Sequence, residues 1–288
     1  MKKSLLALVF ALALIFTACG NKPADNSQAG SEQAKSEASK ASEAATAEKP
    51  VKLKIGVSPV PHAEIVEAIK DNLAKRGVEL EIVNFDDYVQ PNHALASGEI
   101  DANFFQHEPY LDAFKKENNL KLTNIGAVHL EPMAVYSDKL KSLDEVPEGG
   151  KVLIPNDVSN GARALLLLAK NNLIKLDDPS NINVTEKNIT ENPKKLTFVP
   201  MEAAALARAY KDADLAVINS NFALGAGLNP LKDNLAIEDK DSPYVNIVVV
   251  REGEEKEEKF KILMEELNSE TVKKFINDKY QGAVIPAF

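Results

Sequence analysis

The chain contains one cysteine, Cys19, and no tryptophan among its 288 residues. A single thiol cannot form an intramolecular disulfide bond, and it cannot supply a cysteine-rich zinc site. The common catalytic and cofactor-binding motifs are also missing: there is no GxSxG nucleophile elbow, P-loop, GxGxxG loop or HExxH pair. These absences predict that the protein is not an enzyme and that it holds no cofactor.

Basic residues are fewer than acidic residues. The chain has 34 lysines and arginines against 43 acidic residues, which gives a formal net charge of −9 without any basic stripe. Because an acidic protein repels phosphate backbones, we predict no nucleic-acid partner. A content of 44% hydrophobic and 27% charged residues is typical of a soluble globular protein, and it argues against a polytopic membrane protein.

The first residues have the order of a secretory signal. Lys2 and Lys3 precede an uncharged apolar run over residues 5–16, and small residues follow it. With its small-residue tail the run offers roughly 14 residues, whereas a helix that spans a bilayer needs about 20. Residues 1–18 are therefore predicted to be a cleaved signal peptide.

The lone cysteine stands at the end of this signal. Phe-Thr-Ala-Cys at residues 16–19 resembles the lipobox of bacterial lipoproteins, in which the cysteine is lipidated and becomes the first residue of the mature chain. Phe16 departs from that pattern, since leucine is usual there. We predict a lipid anchor at Cys19 that holds the protein on the extracytoplasmic face of the cell membrane.

A spacer follows the anchor. Residues 21–50 are rich in alanine, serine, glutamate and lysine and contain no Val, Ile, Leu, Met, Phe or Tyr. Such a segment buries too little apolar surface to offset the entropy of ordering it. Residues 19–50 are predicted to form the lipidated cysteine and a disordered tether.

The remaining residues read as an α/β protein. Val51, Leu53, Ile55 and Val57 alternate with polar residues and glycine as in a strand; apolar residues at helical spacing then lead to Gly77 and a second strand over 78–83. This βαβ unit implies parallel strands, and the alternation continues to the C-terminus. Because the body exceeds the usual size of one core, we predict two lobes, residues 51–130 with 247–288 and residues 131–246.

One stretch, DYVQPNHALASGEIDANFFQHEPYLDAF at residues 87–114, is dense in rings. Open α/β sheets bind ligands beyond the carboxyl ends of their strands, where these rings are expected. Phe104 and Phe105 point to opposite faces of a strand, so one is expected in the core and the other in a cleft. Alternatively, all the rings are packing residues.

That stretch has four companions: NDVSNGARALLLL (156–168), LAVIN (215–219), DSPYVNIVVVR (241–251) and the tail GAVIPAF. Together they resemble the methionine-binding lipoproteins of ABC importers, the MetQ/NlpA family, over essentially all of residues 51–288. The resemblance implies a two-lobed periplasmic-binding-protein-like (type II) fold with the ligand in the cleft. Each lobe is expected to be a mainly parallel sheet flanked by helices, and two crossing segments join the lobes.

The same resemblance implies a function and a site. The function is a receptor that captures L- or D-methionine outside the membrane and delivers it to an ABC permease and its ATPase. Planar guanidinium suits a carboxylate, amides suit the ligand's backbone groups, and a polarisable thioether gains from aromatic edges. The residues implied are Arg163 for the carboxylate, Asn219 and Asn246 for the backbone groups, and an aromatic pocket of Tyr88, Phe105, His107 and Tyr110.

Without the family, these polar residues have plainer interpretations. Arg163 could be a surface charge whose stem packs on apolar neighbours. Asn219 could be a turn residue or a helix N-cap. Asn246 lies in an apolar strand, where a buried amide needs partners, so it is harder to explain as a packing residue.

Other functions also stay open. Four histidines (His62, His93, His107 and His129) would suit a receptor for zinc or manganese if three of them converged in space. A receptor for another small amino acid or a dipeptide is a second alternative. A hydrolase, or a structural surface lipoprotein such as an adhesin, is a third.

Overall fold

The computed structural model describes residues 49–288. The predicted signal peptide (1–18), the lipidation site Cys19 and nearly all of the predicted tether lie outside the described residues, so they stay predictions. Between residues 49 and 288, no helix has both the length and the apolar character needed to cross a bilayer.

Two sheets organise the described chain. The first has six strands in the order β13-β4-β12-β3-β1-β2, with the bounds β1 Val51–Val57, β2 Val78–Asn84, β3 Ala102–His107, β4 Leu122–Leu130, β12 Val245–Arg251 and β13 Ile285–Pro286. The second has five strands in the order β11-β5-β10-β6-β9, with the bounds β5 Ala134–Tyr136, β6 Lys151–Pro155, β9 Thr197–Met201, β10 Leu215–Ile218 and β11 Asn234–Ile237. A small hairpin of β7 Lys175–Leu176 and β8 Ile189–Glu191 stands apart from both.

Helices cover the faces of these sheets. Their bounds are α1 Glu64–Glu67, α2 Lys70–Lys75, α3 Gln90–Ser97, α4 Glu108–Asn118, α5 Val158–Lys170, α6 Ala203–Ala209, α7 Ser220–Gly225, α8 Glu258–Leu267 and α9 Glu270–Tyr280. The first predicted helix is broken into α1 and α2, because the backbone at Ile69 leaves regular helical geometry. Gly77 ends this region with a positive φ of 78°, a conformation that glycine adopts without strain.

Strand directions differ from the predicted mainly parallel sheets. β1 is parallel to β2 and β3, and β6 is parallel to β9 and β10. The other pairings in both sheets are antiparallel, so the sheets are mixed and this detail of the prediction was wrong. The reason is connectivity. The chain leaves the first sheet through β4 and returns through the adjacent β12, so these neighbours run in opposite directions. It enters the second sheet through β5 and leaves through the adjacent β11, with the same result.

Each sheet has its own apolar core. In the first, strand residues pack against α1, α2, α8 and α9, and Phe104 is buried among them. In the second, α5 packs on one face and α6 on the other. Two segments connect the sheets, residues 131–133 after β4 and residues 238–244 before β12. The boundaries predicted for the two lobes stay a proposal.

Candidate ligand-binding site

One small cavity lies between the ends of strands from both sheets. All seven predicted site residues line it, together with five others: Tyr88, Phe105, His107, Tyr110, Arg163, Asn219 and Asn246, with Gln106, Glu131, Asn160, Ser220 and Asn221. The structure therefore brings the seven predicted residues together, and their binding roles stay a proposal.

Aromatic rings form one wall of this cavity. The Tyr88 ring centroid lies 5.8 Å from that of Phe105 and 5.7 Å from that of Tyr110. The hydroxyl of Tyr110 donates to the backbone carbonyl of Tyr88 at 2.7 Å, and the hydroxyl of Tyr88 donates to Asn221 Oδ1 at 2.5 Å. As the strand alternation predicts, Phe104 faces the core of the first sheet while Phe105 faces the cavity.

His107 ends β3 and begins the helix α4. Its Nδ1 accepts a hydrogen bond from the backbone N–H of Tyr110, so the neutral ring carries its proton on Nε2 and donates to Asn160 Oδ1 at 3.2 Å. Burial, with a smaller contribution from the nearby Arg163 charge, lowers the pKa of His107 to about 3. At neutral pH the cavity therefore presents a neutral imidazole beside its aromatic wall.

Only 3% of Arg163 is exposed, so this residue is buried and is not a surface charge. It lies one turn after Asn160 on α5, whose N-cap is Asp157. Its Nε and Nη2 donate to the two carboxylate oxygens of Glu238 at 2.7 and 2.5 Å, and Nη2 also donates to the Glu131 carbonyl. Burial opposes its charge, yet Glu238 raises the pKa of Arg163 above its usual value.

These contacts change which edge of the Arg163 guanidinium can bind a ligand carboxylate. The Nε–Nη2 edge is occupied by Glu238, so it is not the edge that a ligand carboxylate meets. Nη1 makes no hydrogen bond to any residue in the range 49–288, and Arg163 lines the cavity. The Tyr244 ring stacks 4.4 Å from the guanidinium carbon, which further holds the group in place.

Asn219 follows β10 at the N-cap position of α7, but its side chain makes no capping hydrogen bond. Instead its Nδ2 donates to Asn160 Oδ1 at 2.8 Å. Its Oδ1 is buried and has no hydrogen-bond partner within the described chain. An unsatisfied buried acceptor is rare and costs about 1–3 kcal/mol, so a donor supplied by a ligand is the expected partner.

Asn246 occupies the second position of β12, directly between His107 on β3 and His129 on β4 in the register of the sheet. Its Oδ1 accepts from His62 Nε2 at 2.9 Å, which supplies the partner that a buried amide requires. Among residues 49–288 its Nδ2 makes no hydrogen bond, and the residue lines the cavity. This amide nitrogen is therefore a second available donor.

Sequence analysis missed several polar residues of the site. Asn160 and Asn221 line the cavity, and Asn160 links His107 to Asn219. Glu131 also lines the cavity, and it is buried, with only 5% of the residue exposed. A carboxylate directly after the apolar strand β4 was the available signal for Glu131, because buried acids seldom occur without a purpose. Glu238 gave no such signal, since its role depends on a contact across 75 positions of sequence.

The histidines do not converge as a metal receptor of the predicted kind would need. His62 and His129 meet at Glu131, with their possible ligand atoms all within 4.8 Å of one another. His107 instead contacts Asn160, and His93 packs against Phe114. Within the described chain, the possible metal ligands are therefore His62, His129 and Glu131, and a zinc-binding experiment should test these three residues.

Comparison with known protein families gives a match over most of the chain. Residues 53–288 match the family model described as NlpA lipoprotein. The chain belongs to the NlpA lipoprotein family. This membership confirms the family that the sequence motifs predicted.

Three relatives show how close the similarity is. The methionine-binding lipoprotein MetQ of Bacillus subtilis (strain 168) is 40% identical over 292 residues, covering 99% of each chain. A nutrient-binding protein from Burkholderia cenocepacia, solved bound to methionine, is 42% identical with a TM-score of 0.79, and the match covers 82% of this chain and 100% of that one. A periplasmic substrate-binding protein of an ABC transporter from Coxiella burnetii is 41% identical with a TM-score of 0.78, with the same coverage. These structural matches confirm the predicted α/β fold of the NlpA lipoprotein.

Proposed function

We propose that this NlpA lipoprotein is a non-catalytic receptor that captures methionine or a close relative and delivers it to an ABC permease driven by its ATPase. The names of its relatives support the ligand and the type of transporter: one is called methionine-binding, one was solved with methionine, and one belongs to an ABC transporter. The proposed location is the extracytoplasmic face of the membrane, with the lipid on Cys19 as the anchor.

One observation carries the proposal: a single small cavity joins an aromatic wall to a set of unused polar atoms. Tyr88, Phe105 and Tyr110 suit a thioether, which is polarisable and gains from aromatic ring edges. Arg163 Nη1 and Asn246 Nδ2 are donors placed to hold a carboxylate. Asn219 Oδ1 is an acceptor placed for an ammonium. Together they match an amino acid with an apolar, sulfur-containing side chain.

The proposed lobes are residues 51–130 with 247–288 and residues 131–246. Receptors of this architecture close on their ligands by a hinge, and the two segments that connect the sheets are the natural hinge. Glu131 lies in one segment and Glu238 in the other, and both contact Arg163. A ligand held by Arg163 would therefore act directly on both hinge segments.

Methionine should stabilise the protein against heat. A ligand that binds only the folded state adds RT ln(1 + [L]/Kd), so methionine at about 100 times its Kd should add roughly 2.7 kcal/mol to the free energy of unfolding. The test is the melting temperature of the protein without its signal peptide, stripped of ligand by unfolding and refolding. Alanine, which lacks the thioether chain, is the matched control and should produce a much smaller shift.

Zinc serves as the test of the alternative receptor. His62, His129 and Glu131 are close enough to hold a metal ion, so this alternative rests on a specific cluster. If zinc raised the melting temperature and methionine did not, the methionine proposal would be wrong and the metal receptor would replace it.

The anchor has its own test. Cys19→Ala should abolish labelling of the protein by a radioactive fatty acid and release it from the membrane fraction, because Cys19 is the only thiol in the chain. The released protein should bind methionine as the anchored one does, since residues 53–288 already span the family match. Cys19→Ala protein that stayed in the membrane fraction to the same extent would contradict the lipid anchor.

A further inference from the structure

Phe105, in the aromatic wall of the cavity, lies at a position that strand pairing does not fix. β1 pairs with β3 only as far as Phe104. On the other side of β3, the register with β12 passes from Gln106 directly to Phe104, so Phe105 is an extra residue. Such a β-bulge interrupts the ladder and changes the direction of the side chains around it. Within the described chain, the two neighbouring strands therefore do not determine where the Phe105 ring points.

The bulge brings two amide side chains together. In a regular strand Asn103 and Gln106 would point to opposite faces of the sheet, because they are three residues apart. Here Gln106 Nε2 donates to Asn103 Oδ1 at 2.9 Å, so the two side chains lie on the same face. The contact between these amides therefore depends on the extra residue at position 105.

A third amide, Asn92 on α3, completes this group. Asn92 Oδ1 accepts from Asn103 Nδ2 at 2.9 Å and from Gln106 Nε2 at 2.7 Å, and Asn92 Nδ2 donates to Gln106 Oε1 at 2.9 Å. Asn103 Nδ2 also donates to the backbone carbonyl of Pro91 at 3.3 Å. We call Asn92, Asn103 and Gln106 the amide cluster. Each side-chain nitrogen and oxygen of the amide cluster has a hydrogen-bond partner.

The amide cluster is buried, with 0% of Asn92, 0% of Asn103 and 3% of Gln106 exposed. A buried amide costs free energy unless it is hydrogen-bonded, so each member needs the other two. A fully satisfied buried network is rigid and favours a single arrangement. Gln106 directly follows Phe105, so a fixed Gln106 side chain also fixes the backbone that carries the Phe105 ring.

We propose that the amide cluster positions the Phe105 ring in the wall of the cavity, and so sets how strongly the protein prefers a ligand with an apolar side chain. This inference rests on the function proposed above. The Phe105 ring centroid lies 5.8 Å from that of Tyr88 and 5.9 Å from that of Tyr110, so a displaced Phe105 would leave a gap in the aromatic wall. Asn92 and Asn103 are positioning residues, because neither is among the residues that line the cavity.

Two ligands that differ in the side chain test this proposal. Titration calorimetry would compare methionine with alanine, which has the same ammonium and carboxylate but lacks the thioether chain. We expect the unmodified protein to prefer methionine by about 10- to 150-fold, the range that burial of one apolar side chain gives. Asn92→Ala removes three hydrogen bonds of the amide cluster, so this preference should fall by about fivefold or more.

Two further substitutions separate positioning from a loss of stability. Ile276→Ala is the matched control: Ile276 is buried in α9 and is no part of the cavity wall, so its loss should lower the melting temperature without changing the preference. Phe105→Ala shows whether the amide cluster acts through the ring. When Phe105→Ala is already present, Asn92→Ala should lower the preference by less than about twofold, because the ring that the cluster positions is gone.

The outcomes separate this inference from the proposed function. If the unmodified protein fails to bind methionine, the proposed function is wrong and this inference falls with it. If it binds methionine but Asn92→Ala keeps the full preference, the positioning role is wrong while the function stands. If Asn92→Ala lowers the preference equally with and without Phe105→Ala, the cluster does not act through the ring and the proposal is overturned. Asn103→Ser, which removes the bonds that Asn103 Nδ2 donates, answers the same questions if Asn92→Ala does not fold.

Discussion

Arg163→Ala is expected to weaken methionine binding by about 30- to 4,000-fold, the range typical when one partner of a buried charge pair is truncated. Arg163 is buried in the wall of a small cavity, so the ligand carboxylate would lose Nη1 with little solvent to take its place. Titration calorimetry with methionine measures the change. An affinity within about threefold of the unmodified protein, which is under 1 kcal/mol, would contradict the carboxylate assignment.

The same substitution should also lower the free energy of unfolding. Removing the guanidinium leaves the Glu238 carboxylate, which is largely buried, without its bidentate partner. Arg163→Lys restores a charge but not the planar fork, so its affinity should fall between those of the unmodified protein and Arg163→Ala. Arg251→Ala is a suitable control. Arg251 holds the carbonyls of Leu95 and Ile100 far from the cavity, so its loss should destabilise the fold while leaving the affinity unchanged.

Mild acid should destabilise this protein strongly. His62, His107 and His129 are buried and neutral, and burial lowers their pKa values to about 4, about 3 and about 3. In the unfolded chain each would take up a proton near pH 6.5, so the folded state binds fewer protons below that pH. The stability they contribute is complete above about pH 6.5, and it falls by about 1.4 kcal/mol per pH unit for each histidine as the pH drops toward 4.

Two buried acids act in the opposite direction. Burial raises the pKa of Glu131 and that of Asp157, so their contribution to stability grows as the pH falls. We therefore expect a net loss of at least about 2 kcal/mol between pH 7 and pH 5, less than three histidines alone would give. Urea unfolding at a series of pH values measures this slope.

Single substitutions show which residues cause the free energy of unfolding to fall with pH. His129→Gln should reduce the slope by up to one proton, whatever it does to stability at pH 7. His93→Gln is the matched control, because His93 is exposed on α3 and lies outside the set of buried histidines. A slope that did not differ between these two variants would show that the buried histidines are not responsible.

Much of the fold could be predicted from local pattern, and seven residues of the site could be predicted from the resemblance to a known family. Alternating apolar residues at Val51–Val57 and the apolar run at Val245–Arg251 were sufficient to predict β1 and β12. The pattern missed α7, β11, β13 and the hairpin of β7 and β8, which are short and lack a clear period. Nor does the pattern show that α5 begins at Val158, because Asp157 caps the helix in a segment that reads as a loop.

The sequence by itself determined the α/β class, the family and seven of the twelve residues that line the cavity, because these depend on residue type and on motifs that are local in the chain. Only the tertiary structure decided how those residues are used. Arg163 turns one edge to Glu238, Asn219 leaves its Oδ1 without a partner, and Glu131 meets two histidines. The physical reason is distance along the chain: Arg163 and Glu238 are 75 residues apart, and His62 and Asn246 are 184 apart. Such contacts leave no periodic signal, and they form only when two sheets and their crossing segments are assembled.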